Sequence, residues 1–219
     1  MKKALILIFC CLFNLTLTAQ KELNLEDAVL NQYRAYAPDR ISNFEWIPEG
    51  TEYSYLLENR TKIVKSNANS KEIQDVISIA KVNEILGTNF PIFYSTKWLS
   101  KNEILLSNGQ SYCTIHIPSK SGKEIHVLEE NASEPVYESN SKQVAYLIDH
   151  NVMIRDAKSK IIPVTQNTDP NIVSGQAIAR SEFGITKGLF WSKNGSFLAF
   201  YQKDETHVHD YPLLNNEET

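Results

Sequence analysis

The chain has 219 residues, a formal charge of −4 and no basic block, which argues against nucleic-acid binding by neutralisation of phosphates. Hydrophobic residues at 42% and charged residues at 22% are those of an ordinary folded chain rather than a disordered one. Two of the three cysteines, Cys10 and Cys11, fall in an N-terminal apolar run. Cys113 is then alone in the rest of the chain, and a core, not an internal disulfide, has to hold the fold.

Lys2 and Lys3 precede the apolar run Ala4–Phe13, and Leu15-Thr16-Leu17-Thr18-Ala19 leads to Gln20. A positive start, a short apolar stretch and a small residue at the end form the pattern of a secretory signal peptide. The run is shorter than the roughly 20 apolar residues of a comfortable membrane span. A retained anchor is the alternative. Neither Cys10 nor Cys11 follows the small residues of a lipid-bearing site, so the expectation is cleavage after Ala19 and release to the periplasm or beyond, with no membrane span left.

Residues 20–40 read as a helical lead-in. Asn24 is placed to cap, Glu26 and Asp27 suit a first turn, and Leu25, Val29 and Tyr33 form a stripe at i, i+4 and i+8 that Pro38 terminates.

From residue 41 a repeated design takes over. Phe44-Glu45-Trp46-Ile47-Pro48-Glu49-Gly50 precedes Tyr53–Leu57, and Thr96-Lys97-Trp98-Leu99-Ser100-Lys101-Asn102 precedes Ile104–Leu106. Pro135-Val136-Tyr137-Glu138-Ser139-Asn140-Ser141 precedes Val144–Leu147, and Leu189-Phe190-Trp191-Ser192-Lys193-Asn194-Gly195 precedes Phe197–Tyr201. Each passage is an aromatic residue, a polar turn of hairpin type and an apolar strand. The first three continue into a further strand, Lys62–Lys65, Tyr112–Ile117 and Asn151–Arg155. Trp46, Trp98, Tyr137 and Trp191 are 52, 39 and 54 residues apart.

Repeats of several short strands at this period are the mark of propeller blades. One blade cannot cover both faces of its own sheet, so its neighbours must, with the aromatics expected to fill the space between them. A β-sandwich with regular turns is the competing architecture. Ile73, Val76, Ile77 and Ala80 are helically spaced and predict a short helix in the insertion at 71–86. The expected fold is therefore all-β, an incomplete β-propeller of about three to four antiparallel blades over 41–219. A closed propeller uses roughly 4–8 blades, so the chain reads as the front part of something longer.

The order of these pieces resembles the N-terminal propeller of the dipeptidyl peptidase IV family of serine exopeptidases, in its bacterial secreted members. Leu23–Val29 is similar to the family's opening helix and Arg40–Pro48 to its entry into the first blade. The most specific stretch is Ser181-Glu182-Phe183-Gly184-Ile185-Thr186-Lys187-Gly188, followed by Phe190–Gly195, Leu198–Tyr201, Asp204-Glu205-Thr206 and Asp210-Tyr211-Pro212-Leu213. The resemblance implies proteolysis that releases N-terminal dipeptides with proline or alanine second. It also implies an α/β-hydrolase domain carrying Ser, Asp and His that these residues do not contain, and a possible homodimer. No cofactor is implied. The chain by itself is expected to be inactive, with no catalytic residue assigned to it.

The resemblance further implies that acidic residues near the Glu-Phe pair grip the free amino terminus of a peptide substrate. A carboxylate suits that task, because an α-ammonium is a compact cation that charge-assisted hydrogen bonds hold with direction. Glu182 is the candidate, with Ser181 beside it where the family presents a second acidic or polar group, and with Arg180 close enough to neutralise it. An exposed loop glutamate is the plain alternative. A free-standing peptide- or protein-binding propeller without catalysis is the second functional reading.

Other constellations are weaker. Gly184-Ile185-Thr186-Lys187-Gly188 has the spacing of a nucleophile elbow but lacks its strand–turn–helix context. His207, His209 and Asp210 fall short of a zinc set without another placed ligand, so no metal site is expected. Cys113 reads as an apolar filler on a strand. Trp46, Trp98 and Trp191 are expected in the core rather than on a carbohydrate-binding platform.

Overall fold

A computed structural model describes residues 24–37, 41–70, 72–179 and 182–209. They fall into two units that divide between Arg40 and Ile41. In the first, a π-helical turn spans Asp27–Asn31. Asn24 caps it as expected, its Oδ1 accepting from the Asp27 N–H at 2.7 Å. The apolar stripe is not covered: Leu25, Val29 and Tyr33 are exposed while the Asp27 side chain is buried. The wider π turn shifts the periodicity away from 3.6 residues, so the i, i+4, i+8 spacing does not define an inward face. Pro38 lies outside the described residues, as does the leader.

The second unit is a row of four-stranded antiparallel sheets, each a meander. The first blade holds β1 (Ser42–Trp46), β2 (Glu52–Leu57), β3 (Lys62–Asn67) and β4 (Ile73–Ser78). The second holds β5 (Ser95–Ser100), β6 (Glu103–Ser107), β7 (Ser111–His116) and β8 (Ser121–Val127). The third holds β9 (Ala132–Glu138), β10 (Gln143–Ile148), β11 (Asn151–Arg155) and β12 (Ile161–Pro163). The fourth passage is partial: β14 (Leu189–Trp191) pairs with β15 (Leu198–Phe200), while β13 (Ile172–Ser174) pairs with β16 (Gln202–Asp204). The expected strand Phe197–Tyr201 is thus shortened to Leu198–Phe200, and the residues after Tyr201 turn to a different partner, β13.

The expected helix at 71–86 divides in two. Residues 73–78 form β4, because β3 claims them as its edge partner, with Ile63 opposite Ile77. Only Ile79–Leu86 is helical (α1). Ser78 caps α1 through its Oγ, and Gly87 ends it at φ 68° in the left-handed conformation that glycine adopts without strain. Asn83 then closes the following loop, donating to the Phe90 carbonyl and accepting from the Phe90 N–H, both at 2.9 Å.

Period-2 alternation within the central strands feeds a different core on each face. In β10, Val144 and Tyr146 point back toward the second blade, while Ala145 and Leu147 point forward to the partial fourth. In β6, Ile104 and Leu106 join Leu56, Ile63 and Trp98 between the first and second blades, while Leu105 faces the third. The strands therefore read as continuous apolar runs because both faces are buried.

Aromatics of the first strands tie each blade to the one before it. Trp98 donates its indole N–H to Ser54 Oγ of the first blade at 2.7 Å. Tyr137 stacks on Tyr112 of the second, centroids 5.6 Å apart. Trp191 donates to the Val136 carbonyl of the third at 3.0 Å. Trp46 departs from the expectation of core burial and is 56% exposed. Its face of the first blade meets no preceding blade among the described residues.

Two glutamates reinforce the junctions with opposite electrostatics. Glu45 accepts from the Trp98 N–H at 3.1 Å. Desolvation outweighs that bond and the charge of Lys97, and holds its pKa above the ordinary carboxylate value. Glu138 is also pushed up by desolvation. The Ser141 N–H at 2.6 Å, the Ser141 hydroxyl at 2.8 Å and the Asn140 amide at 3.0 Å more than reverse this and leave its pKa below the ordinary value. Asn140 also donates to the Lys193 carbonyl at 2.9 Å, joining this turn to the fourth passage.

A depressed folded pKa adds stability above the unfolded carboxylate value and loses it as the pH falls through the folded one. Glu138→Gln should lower unfolding free energy by about 1–3 kcal/mol at neutral pH. The gap to wild type should close on acidification below the ordinary value near 4.5. Urea melts of both proteins across that range provide the check, and a constant gap would contradict the assignment.

Candidate functional site

The stretch that carries Glu182 is an excursion between β13 and β14, and its base is fastened by two glycines. The Gly175 N–H donates to the Tyr201 carbonyl at 2.7 Å, and the Tyr201 N–H donates to the Gly188 carbonyl at 3.1 Å. A Cβ on Gly188 would lie 2.1 Å from the Gly175 oxygen, and one on Gly175 would lie 2.4 Å from Leu147 Cδ2. Gly175 also has φ at 82°. Backbone closes in on Gly188, while the buried Leu147, Val152 and Leu189 side chains and a positive φ disfavour a side chain at Gly175.

From that base the chain rises to one 3-10 turn, Glu182–Gly184. The Glu182 N–H donates to the Ala179 carbonyl, and the Ile185 N–H to the Glu182 carbonyl, each at 2.9 Å. Phe183 sits at φ 54° and ψ 21° and is 93% exposed. A bulky residue in the left-handed region is uncommon, and strain of this kind clusters at ligand-contacting segments. Glu182 is exposed on this tip; Ser181 and Arg180 lie outside the described residues. The carboxylate is presented to solvent, where an ion pair taken alone contributes about 0–1 kcal/mol. Firm recognition of an ammonium there requires further contacts from the ligand.

Below the tip, Thr186, Lys187 and Gly188 face Glu134, Pro135 and Val136 of β9 across a recess of about 220 Å³. Sequence reasoning missed Glu134. Its only local signal was the Glu-Pro step, and its place depends on a bulge in β9 where Glu134 takes φ 51°.

The remaining candidates behave as isolated groups. Gly184–Gly188 leads from a 3-10 turn into a short strand, so the Thr186 environment is not that of an elbow nucleophile. His207 and His209 are exposed, Asp210 lies outside the described residues, and among those described no cluster of three or more metal-ligating side chains forms. Cys113 is buried between the first two blades.

Comparison with known proteins decides the family. Residues 81–219 match the model of the dipeptidyl peptidase IV (DPP IV) N-terminal region. The chain belongs to that family. Its matched part runs from α1 through the last described strand and includes the whole Glu182 excursion. The chain is 25% identical over 231 aligned positions to the probable dipeptidyl-aminopeptidase B of Tuber melanosporum, covering 90% of this chain and 25% of that protein. It superposes with a TM-score of 0.66 on the structure of a putative dipeptidyl aminopeptidase IV from Bacteroides ovatus, at 25% identity over 80% of this chain and 24% of that one. Dipeptidyl peptidase 4 of Porphyromonas gingivalis shares the fold at TM-score 0.63 and 22% identity, over 92% of this chain and 30% of that one. The chain thus spans about a quarter of the length of the relatives it matches. It is a DPP IV N-terminal region: mostly β, built of antiparallel propeller-type blades, with no helix among the described residues long and apolar enough to cross a membrane.

Two outcomes follow from this geometry. Gly188→Ala should lower unfolding free energy by about 1–3 kcal/mol through forced displacement of the excursion's base, read as a drop in thermal midpoint. Burial first, then the charge of Glu124, pushes the Cys113 thiol from 9.0 to about 11. At pH 8 its thiolate population is then about 100-fold below that of an unshifted thiol. A chromogenic disulfide reagent should leave Cys113 largely unmodified in buffer and label it rapidly in denaturant.

Proposed function

We propose that this chain is the exported N-terminal propeller portion of a dipeptidyl peptidase IV-like serine peptidase. Its role there is to gate access and to measure where a peptide substrate begins. The observation that carries the reading is the Glu182–Phe183 tip, which lies within the matched family region and stands on a base that two glycines fix. Glu182 receives the substrate's α-ammonium, Ser181 supplies a neighbouring oxygen, and the exposed Phe183 ring covers the pair from water. Reduced access of water strengthens an ion pair that is weak at an open surface.

Peptides with a free N-terminus are the partners in this reading, and a homodimer is the working assembly. Acyl transfer belongs to a Ser-His-Asp hydrolase domain beyond these residues. The leader ending at Ala19 directs the product to the periplasm or outside the cell. A second reading is a free-standing peptide-binding propeller. It draws support from the three inter-blade cores already present within the chain, enough to give it a folded framework.

Binding of short peptides with proline second should separate recognition of the amino terminus from general stickiness. In calorimetry, N-acetylation is expected to weaken binding about tenfold or more, and Glu182→Gln should erase the difference between free and acetylated peptide. Affinity for the free peptide should also fall as pH rises past about 8, where the α-ammonium loses its proton. Equal binding of both peptides by the wild-type chain would refute the role of Glu182.

A further inference from the structure

The second and third blades do not pack flush along their whole junction. Between them lies a recess of about 280 Å³. Glu103 of β6, Lys123, Glu124 and His126 of β8, Tyr137 of β9 and Lys142 of the β9–β10 turn supply its polar wall. Leu99 and Ile125 supply apolar surface beside them. Both blades are complete four-stranded sheets within the described residues, and the Glu182 excursion does not reach the recess.

Two buried polar atoms of this wall have no protein partner. His126 is only 2% exposed. Its Nε2 N–H donates to the Lys142 carbonyl at 2.8 Å, which leaves Nδ1 of the neutral ring as a lone pair, buried and unpartnered. The Tyr137 hydroxyl is buried and unpartnered in the same way, with its ring centroid 6.2 Å from that of His126. Native interiors rarely leave such atoms unsatisfied, and each one calls for an explanation. Burial first, then the carboxylates of Glu103 and Glu138, pushes the Tyr137 phenol up to about 12. The hydroxyl therefore keeps its proton at neutral pH, with the Glu103 carboxylate near enough to act on it. Glu124, Lys123 and Lys142 are exposed around the opening. None of these three or Glu103 has an ion-pair partner among the described residues. Two carboxylates and two ammonium groups thus line one recess with their signs held apart. The acidic and imidazole groups do not converge on a point either, since no set of three among the described residues could hold a metal ion. A ligand that satisfies this wall has to span several atoms and carry both signs of charge.

We propose that the recess between the second and third blades binds a small zwitterion of the α-amino acid class. The three N–H donors of an α-ammonium match three acceptors, the Glu103 carboxylate, the Tyr137 oxygen and His126 Nδ1. The ligand's carboxylate goes to Lys123 and Lys142, and its side chain lies on Leu99 and Ile125. Charge-assisted hydrogen bonds at both ends fix the orientation. The volume falls just below the roughly 300–1,000 Å³ of pockets for drug-sized ligands, which suits a molecule of this size. The site and the amino-terminus reading stand or fall separately, because Glu182 belongs only to the second.

Titration of the isotope-labelled 219-residue chain with L-leucine, followed through backbone amide chemical shifts, tests the site. Saturable shifts are expected at Lys123–His126, Tyr137 and Lys142. N-acetyl-L-leucine lacks the ammonium and L-leucinamide lacks the carboxylate, so each should bind about tenfold or more weakly. Glu103→Gln should abolish the preference for leucine over the acetylated compound. Lys142→Gln keeps the backbone carbonyl that His126 needs and should abolish the preference over the amide. Lys123→Gln repeats that arm should Lys142→Gln disturb the turn. Glu182→Gln should leave leucine binding unchanged. The absence of saturable shifts at these residues would overturn the proposal, as would equal binding of all three compounds. Leucinamide binding as tightly as leucine would overturn it in favour of a plain ammonium site, and loss of the leucine shifts in Glu182→Gln would overturn it in favour of the excursion.

Discussion

The structure depends on the covering of one blade's sheet by the next. An isolated four-stranded meander of this sequence has apolar residues on both faces, and β10 shows why: Val144 and Tyr146 belong to one core, Ala145 and Leu147 to another, and all four are fully buried or nearly so. A sheet with two apolar faces is stabilised only where a neighbour covers it, so each blade's stability is shared with its neighbours. The polar groups follow the same rule. Trp98, Trp191 and Asn140 each send a hydrogen bond across a junction rather than within a blade. His126 does likewise: its Nε2 lies 2.8 Å from the Lys142 carbonyl, which accepts only, so the proton resides on that nitrogen.

Most of this was legible in the sequence because turns and alternation are local. The aromatic–turn–strand passages at 44–57, 96–106 and 135–147 became the first hairpins of three blades, and Asn194-Gly195 turned the fourth. What escaped notice was set by partners distant along the chain. Ile73, Val76 and Ile77 have helical spacing, yet Ile63 and Val64 on β3 offer a ladder that the isolated segment cannot anticipate. Tertiary pairing overrode local pattern there. Trp46 matches its counterparts in sequence, but burial is a property of the junction, and the motif alone does not say which junction is occupied.

The Glu182 excursion obeys a different logic. Its sequence was the most recognisable part of the chain as a family signature, while its geometry was the least. The signature names Glu182 and Phe183; it does not reveal that Gly175 and Gly188 meet at the base, nor that Glu134 on β9 faces Lys187 across a recess. Those relations come from residues more than ten positions apart and from a bulge in a neighbouring strand.

In the proposed reading, the contrast between base and tip lets an excursion serve recognition without being buried. At the base, the Gly188 backbone meets that of Gly175 and Gln176, hydrogen bonds join three segments, and Gly175 packs against the Leu147, Val152 and Leu189 side chains. At the tip, a non-glycine residue accepts a left-handed conformation that is unfavourable by roughly 1–2 kcal/mol, and a large ring faces water. Neither feature helps the fold, whose cores lie on the far side of the glycine clamp. The close-packed base fixes where the excursion leaves the blades, and the exposed Phe183 ring beside Glu182 is apolar surface open to a ligand. In the proposed reading, a peptide that places its ammonium at Glu182 would also cover Phe183, so that charge recognition and apolar burial would reinforce each other at one point on the propeller.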